Sequence, residues 1–177
     1  MTNTDPDIRE KAEEIIFGMW DTLTEDERKE ISEHLTIEEF QKNEYIYKEL
    51  EIPKCIKWLI SGKVKICKSG VTGRDQILRT IVPSEIFSFR AYFANDDYLT
   101  SALSFGHSVV ASVPMTIIDK LLHTNIQVCR KLIKQLAKEL GKADSRTVSL
   151  TQKHIRGRLA ESLITLKNSY GLEEDGY

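Results

Sequence analysis

The stretch Ile56-Lys-Trp-Leu-Ile-Ser-Gly-Lys-Val-Lys-Ile66 decides the fold of this chain. It reads as an apolar strand, a Ser61-Gly62 turn and a hairpin return through Lys63-Val-Lys-Ile66. A second turn, Gly73-Arg-Asp75, leads into a third strand, Gln76 to Val82. Upstream, from Leu35 onward, apolar residues recur at a period of two. Thr36-Ile-Glu-Glu-Phe-Gln41 and Tyr45-Ile-Tyr-Lys48 are short strands, and Pro53 closes that segment. Downstream, Thr100 to Phe105 and Ser108 to Val113 continue the pattern. Many short strands with almost no helix between them indicate a closed or double-layered antiparallel architecture. The expected fold class is α+β: an antiparallel β-barrel or double-stranded β-helix (jelly roll) flanked by helices.

The flanks follow a different period. Residues 7 to 19 form an amphipathic helix with Ile8, Ala12, Ile15, Ile16 and Met19 on one side. A second helix starts at Thr24, which forms a capping box with Glu27 and so satisfies two otherwise orphan backbone N–H groups. Pro114 is expected at the first position of a further helix, where its missing N–H costs nothing. Thr124 or Asn125 can cap the long helix after it. On that helix Cys129, Ile133, Leu136, Leu140, Ala143 and Thr147 are spaced alternately by four and three, a heptad-like seam. A second stripe holds Val128, Leu132 and Val148. Two stripes suggest one for the barrel and one for a second copy of the chain. After Gln152 a last helix carries Ile155, Leu159, Leu163 and Leu166, and the remainder from Ser169 is polar and turn-rich. These shifts divide the chain into N-terminal helices (1–34), a β-barrel (35–113), a hinge with the long helix (114–152) and a linker helix (153–177).

The 177 residues, 41% hydrophobic and 29% charged, suit a soluble globular protein. No apolar run approaches the roughly 20 residues that cross a bilayer. Met1 to Asp7 is acidic and polar, not a secretory signal, so a cytoplasmic location without membrane attachment is expected. Cys55, Cys67 and Cys129 are scattered and read as reduced thiols packed as small hydrophobes. The net charge of −2 conceals an asymmetry. Glu13, Glu14, Glu25, Asp26, Glu27, Glu30 and Glu33 crowd the N-terminal end. Lys131, Lys134, Lys138, Lys142, Arg146, Lys153 and Arg156 make the segment from Arg130 to Arg158 basic. Such a face is solvated, pairs with the acidic end or faces nucleic acid.

The order of these features resembles the sensor half of the CRP/FNR superfamily of bacterial transcription regulators. The residues that carry the resemblance are the strand with Ser61-Gly62 and its hairpin, the loop Pro83-Ser-Glu-Ile-Phe-Ser-Phe-Arg90, and the long helix leading into Gly157-Arg-Leu-Ala-Glu-Ser-Leu163. The resemblance implies a cyclic-nucleotide-binding-like domain, a homodimer through the long helix, and DNA contact through a C-terminal helix-turn-helix domain not contained in this chain. The loop occupies the place of the family's phosphate-binding cassette. There the family presents a Gly-Glu pair for the ribose, and about ten residues later an Arg for the cyclic phosphate. A phosphate taken out of water needs such a fixed cation. Here the pair falls on Ser88-Phe89, and the Arg position falls in Tyr98-Leu-Thr-Ser101, which has no cation. Glu85, preceded by Ser84, is a stand-in for the Glu, and Arg90 is the nearest cation in the loop.

Glu85, Phe87, Ser88, Phe89, Arg90, Tyr98, Thr100 and Ser101 are therefore the candidate pocket residues of a degenerate cassette. An apolar cavity ringed by Phe87, Phe89, Tyr92, Phe93 and Tyr98 is expected, with simple core filling as the alternative. Cyclic AMP is not the expected effector, no cofactor is required, and no catalytic or metal-binding residue is assigned. Three scattered Cys do not make an iron–sulfur site. A haem sensor would need one of His34, His107, His123 or His154 as axial ligand. A cupin-like enzyme would need clustered His and carboxylates, and no His pair stands at strand or helix spacing. The leading expectation is an effector-sensing and dimerising domain of a transcription regulator, and the alternative is a dimerising interaction module without a ligand.

Overall fold

The computed structural model describes residues 6–170 except 71, 72 and 74. The chain forms two compact units, divided between Lys131 and Leu132. The first begins with α1 (Pro6–Met19) and α2 (Glu25–His34). Thr24 caps α2 as its sequence requires: its backbone N–H donates to Glu27 Oε2 at 2.8 Å, and its Oγ1 accepts from Glu27 N at 3.3 Å. The strands are β1 (Thr36–Phe40), β2 (Tyr45–Tyr47), β3 (Cys55–Ser61), β4 (Val64–Ser69), β5 (Asp75–Ile81), β6 (Ile86–Phe87), β7 (Ser101–Ser104) and β8 (Ser108–Pro114). A short helix α3 (Phe89–Phe93) lies between β6 and β7. After β8 come α4 (Met115–Thr124), α5 (Ile126–Gln152) and α6 (Ile155–Tyr170).

Two four-stranded sheets, β1-β8-β3-β6 and β2-β7-β4-β5, make the jelly roll, and every pairing is antiparallel. Between them packs a core that includes Phe40, Tyr47, Leu59, Val64, Ile66, Phe87 and Tyr98. Strand β3 is buried on both faces from Ile56 to Ile60. Leu59 joins this inner core, whereas Trp58, on the opposite face, meets Trp20 edge-on with ring centroids 5.3 Å apart.

The expected hairpin at Ser61-Gly62 is not one. Strands β3 and β4 belong to different sheets, so the turn crosses from one layer to the other. Gly62 permits it with φ +88°. A Cβ there would stand 2.3 Å from the His107 carbonyl oxygen and 2.6 Å from Ser108 Cα. Pro114 differs too. It ends β8 opposite Cys55 and caps α4 with ψ 139° instead of opening it. Continued strand pairing takes precedence there, since Met115 N donates to Lys54 O at 2.9 Å.

Asn125 is the cap of α5: its Oδ1 accepts from Gln127 N at 3.2 Å and Val128 N at 3.3 Å. In the first unit the basic start of α5 does pair with acidic N-terminal residues. Lys131 Nζ lies 2.6 Å from Asp21 Oδ1, and Asn125 Nδ2 donates to Glu27 Oε2 at 2.9 Å. Val128 and Leu132 are buried but Val148 is exposed, so the second stripe ends after two members. Helix α6 continues through Tyr170, past the expected turn-rich Ser169. The polar tail from residue 171 lies outside the described residues. Among the described residues no helix is long and apolar enough to cross a membrane. No group of three His, Cys, Asp or Glu side chains there converges as a metal-ligand set.

Candidate functional site

The cassette consists of the 82–85 turn, β6, α3 and the entry to β7. Two of its elements, β6 and α3, escaped the sequence reading because each is too short to show a period. Ser84 and Ser88 both adopt left-handed backbone, with φ +69° and +75°. Ser88 is buried, and its Oγ donates to the Cys55 carbonyl oxygen at 2.8 Å, which fastens the start of α3 to β3.

The Glu85 carboxylate is engaged within the cassette itself. Its Oε2 accepts from Val82 N at 3.1 Å, inside its own turn, while Leu59 N donates to its carbonyl at 3.1 Å. Phe87 and Phe89 are wholly buried, and Arg90 is exposed. Tyr98 is buried and stacks on Tyr47 at 3.9 Å between centroids and 19° between planes. Its backbone is pinned by Leu50 N donating to its carbonyl at 2.8 Å and by its own N donating to Glu51 O at 3.0 Å. Burial pushes the Tyr98 hydroxyl pKa well above its ordinary value, against a smaller lowering by its hydrogen bond to Ser88. Thr100 is half-buried, and Ser101 Oγ accepts from Glu49 N at 2.9 Å.

The structure thus brings Phe87, Ser88 and Tyr98 together and leaves Glu85, Arg90 and Ser101 engaged or facing elsewhere. The expected apolar cavity is filled: Tyr98, Tyr47 and Phe87 are its packing. A cation does reach the Tyr98 to Ser101 segment, but from β4. Lys68 Nζ donates to Leu99 O at 2.8 Å and is neutralised by Glu49 Oε1 at 2.9 Å. One surface cleft of about 230 Å³ lies between α2 and α4, and another of about 700 Å³ lies beside α1 and is lined in part by Pro83 and Ser84 of the cassette turn. Cassette and α4 are tied by Tyr92, whose hydroxyl donates to Asp119 Oδ2; that carboxylate pushes the phenol pKa up.

The family model for the cyclic nucleotide-binding domain matches residues 37–125. The chain belongs to the cyclic nucleotide-binding domain family. A CRP-like cAMP-activated global transcriptional regulator of Mycobacterium tuberculosis is 24% identical over 138 residues, which is 78% of this chain and 62% of that protein. The chain therefore spans about three fifths of the length of this relative. FixK2 from Bradyrhizobium japonicum superposes with a TM-score of 0.70 at 25% identity, covering 76% of this chain and 66% of that one. The sensor domain of the regulator DNR from Pseudomonas aeruginosa gives a TM-score of 0.68 at 17% identity, covering 78% and 95%. The resemblance to CRP/FNR regulators thus holds for family and fold.

The sequence-assigned seam on α5 lies as follows. Ile133 and Leu140 are 59% and 64% exposed. Ala143 and Thr147 are exposed, and Cys129 and Leu136 half-buried. The three cysteines are free thiols, and burial pushes the Cys67 thiol pKa up.

Proposed function

We propose that this chain is the effector-sensing and dimerising part of a CRP/FNR-type transcription regulator, and that its effector is not cyclic AMP held in the family's usual manner. The observation that supports this reading is the seam on α5, six residues at heptad spacing from Cys129 to Thr147, of which Ile133, Leu140, Ala143 and Thr147 are exposed. Burying an exposed Leu or Ile contributes about 1.5–3 kcal/mol, so Ile133 and Leu140 alone give a second copy of the chain a substantial reason to pack there. Gly141, whose Cβ position is open to at least 4 Å all round, leaves space for a close helix crossing.

Signal transfer would be a population shift: an effector in the barrel alters the packing of the paired helices and re-aims DNA-reading domains. Those domains lie outside these 177 residues in this reading, which involves no catalytic step and places the protein in the cytoplasm. Leu140→Glu puts a charge into the seam. Sedimentation of that variant should give monomer where the parent gives dimer, and an unchanged dimer affinity overturns the assignment. The cassette makes its own prediction. Calorimetry with millimolar cyclic AMP should show no saturable heat, because the one cation described at the Tyr98 to Ser101 segment, Lys68, is already neutralised by Glu49.

The filled barrel interior favours one second reading, a dimerising module without an effector. Native mass spectrometry of the purified protein separates the two, since a retained small molecule supports the sensor.

A further inference from the structure

The inner face of the sheet β1-β8-β3-β6 carries a polar row directly beside the cassette. Thr36 on β1 pairs with Ser112 on β8, Ser112 with Lys57 on β3, and Lys57 with Phe87 on β6. Lys57 shares its side of β3 with Leu59, so it points toward the space between the sheets. Only 9% of Lys57 is exposed. Its ammonium has three donors. One goes to Ser112 Oγ at 2.8 Å. Among the described residues the opposite charge beside it is Glu38, whose Oε2 stands 3.7 Å away, beyond hydrogen-bond reach, on a side chain 55% exposed.

Burying a cation is costly unless it is both paired and hydrogen-bonded. Lys57 is under-compensated on both counts within the contacts described. A hydrophobic residue would fill this position in the jelly roll without that cost. The Ser112 hydroxyl, accepting from Lys57, keeps its own O–H to donate. The row is reached from the β1 side, where β1 is an edge strand and Thr36 and Glu38 are exposed. Glu38 shows by its position that a carboxylate approaches Lys57 along this route.

We propose that Lys57, with the Ser112 hydroxyl, anchors an oxyanion group, a carboxylate or phosphate of a small-molecule effector, that displaces the Glu38 carboxylate. This rests on the sensor reading and supplies, from β3, the cation that the cassette lacks. It also gives effector binding a mechanical output: Glu38 is released from β3, and the Lys57–Phe87 pairing next to Ser88 feels the new ligand.

The test is calorimetry of the full chain with sodium acetate and with sodium phosphate, each against chloride at matched ionic strength. Either anion binding saturably supports the proposal, and which one binds identifies the group. Glu38→Gln removes the competing carboxylate of an exposed pair and should tighten binding up to about fivefold. Lys57→Met keeps the aliphatic stem and should weaken binding about 10- to 100-fold, the loss expected for hydrogen bonds to a charged group. Should that variant not fold, Ser112→Ala, a near-isosteric change, should still weaken binding several-fold. No saturable binding by the parent or by Glu38→Gln overturns the proposal, as does binding that survives Lys57→Met or Ser112→Ala unchanged. Sedimentation of the same samples keeps the two readings apart. A dimer that binds neither anion refutes only the anchor, and a monomer that binds one refutes only the seam.

Discussion

Replacing Gly62 by alanine tests the sheet-crossing turn at its tightest point. Two costs add. An L-residue at φ +88° pays about 1–2 kcal/mol for left-handed backbone. The new Cβ also falls 2.3 Å from the His107 carbonyl oxygen, 2.5 Å from Ser108 Oγ and 2.6 Å from Ser108 Cα. Two of these atoms are backbone at the start of β8, which is held by pairing of Ser61 with Val109. Relief therefore shifts Ser108, whose Oγ lies 2.7 Å from Ser104 Oγ, 3.2 Å from Lys63 N and 3.1 Å from Lys63 O. Losing two of those bonds at about 0.5–1.5 kcal/mol each brings the total to about 2–5 kcal/mol. Gly73 is the internal control. Its φ is +73°, yet a Cβ there meets nothing within 4 Å, so Gly73→Ala should cost only about 1–2 kcal/mol. Urea unfolding followed by far-UV circular dichroism measures both. Equal destabilisation by the two substitutions would refute the steric argument and reduce Gly62 to a matter of backbone conformation.

Three further outcomes are expected. Tyr98→Phe should flatten the loss of stability at alkaline pH: a raised phenol pKa in the fold means stability is intact below about pH 10 and falls as pH climbs through the folded value. Urea midpoints at pH 8 and pH 11 check this, and an alkaline slope equal to that of the parent contradicts it. Thr24→Ala removes one half of the α2 capping box and should cost about 1 kcal/mol in the same assay, with no effect taken as failure of the cap. Gly141→Ala should stabilise the isolated helix by about 1 kcal/mol and yet weaken the proposed dimer. Sedimentation showing a tighter dimer would place the helix crossing away from Gly141.

The legible parts of this chain are those set by local chemistry. Thr24 and Glu27 announce a cap because each contains the partner the other needs, and Asn125 is readable for the same reason. Most strands from Thr36 to Val113 follow from short apolar or alternating runs between turn residues, β6 excepted. What stayed hidden is nonlocal. Nothing near Gly62 says whether β3 and β4 pair with each other or with β8 and β7, because that depends on partners some forty residues away. Lys57 is the one charged residue of an otherwise apolar strand, and its direction is not evident from the run itself. Only the large residues on either side, Ile56 and Trp58, hint that the opposite face is also covered and that Lys57 must turn inward. In the cassette, the absence of the expected Glu and Arg is visible in the residues, but that Tyr98 stacks on Tyr47 is not, since stacking is settled by β2 meeting the loop before β7.

Trp20 and Trp58 are the only tryptophans in the chain, both almost fully buried, with their rings crossed at 80°. All indole fluorescence therefore originates at one contact, where the chain leaving α1 rests on β3. Two indoles this close exchange excitation, so their near-ultraviolet circular dichroism carries a coupled signal that neither ring gives alone. Lifting α1 from the sheet would wet both rings at once, shifting emission to the red and extinguishing the couplet. An untagged sample in a cuvette can thus follow the docking of the N-terminal helix separately from the events at the cassette, which contains tyrosines and phenylalanines but no indole.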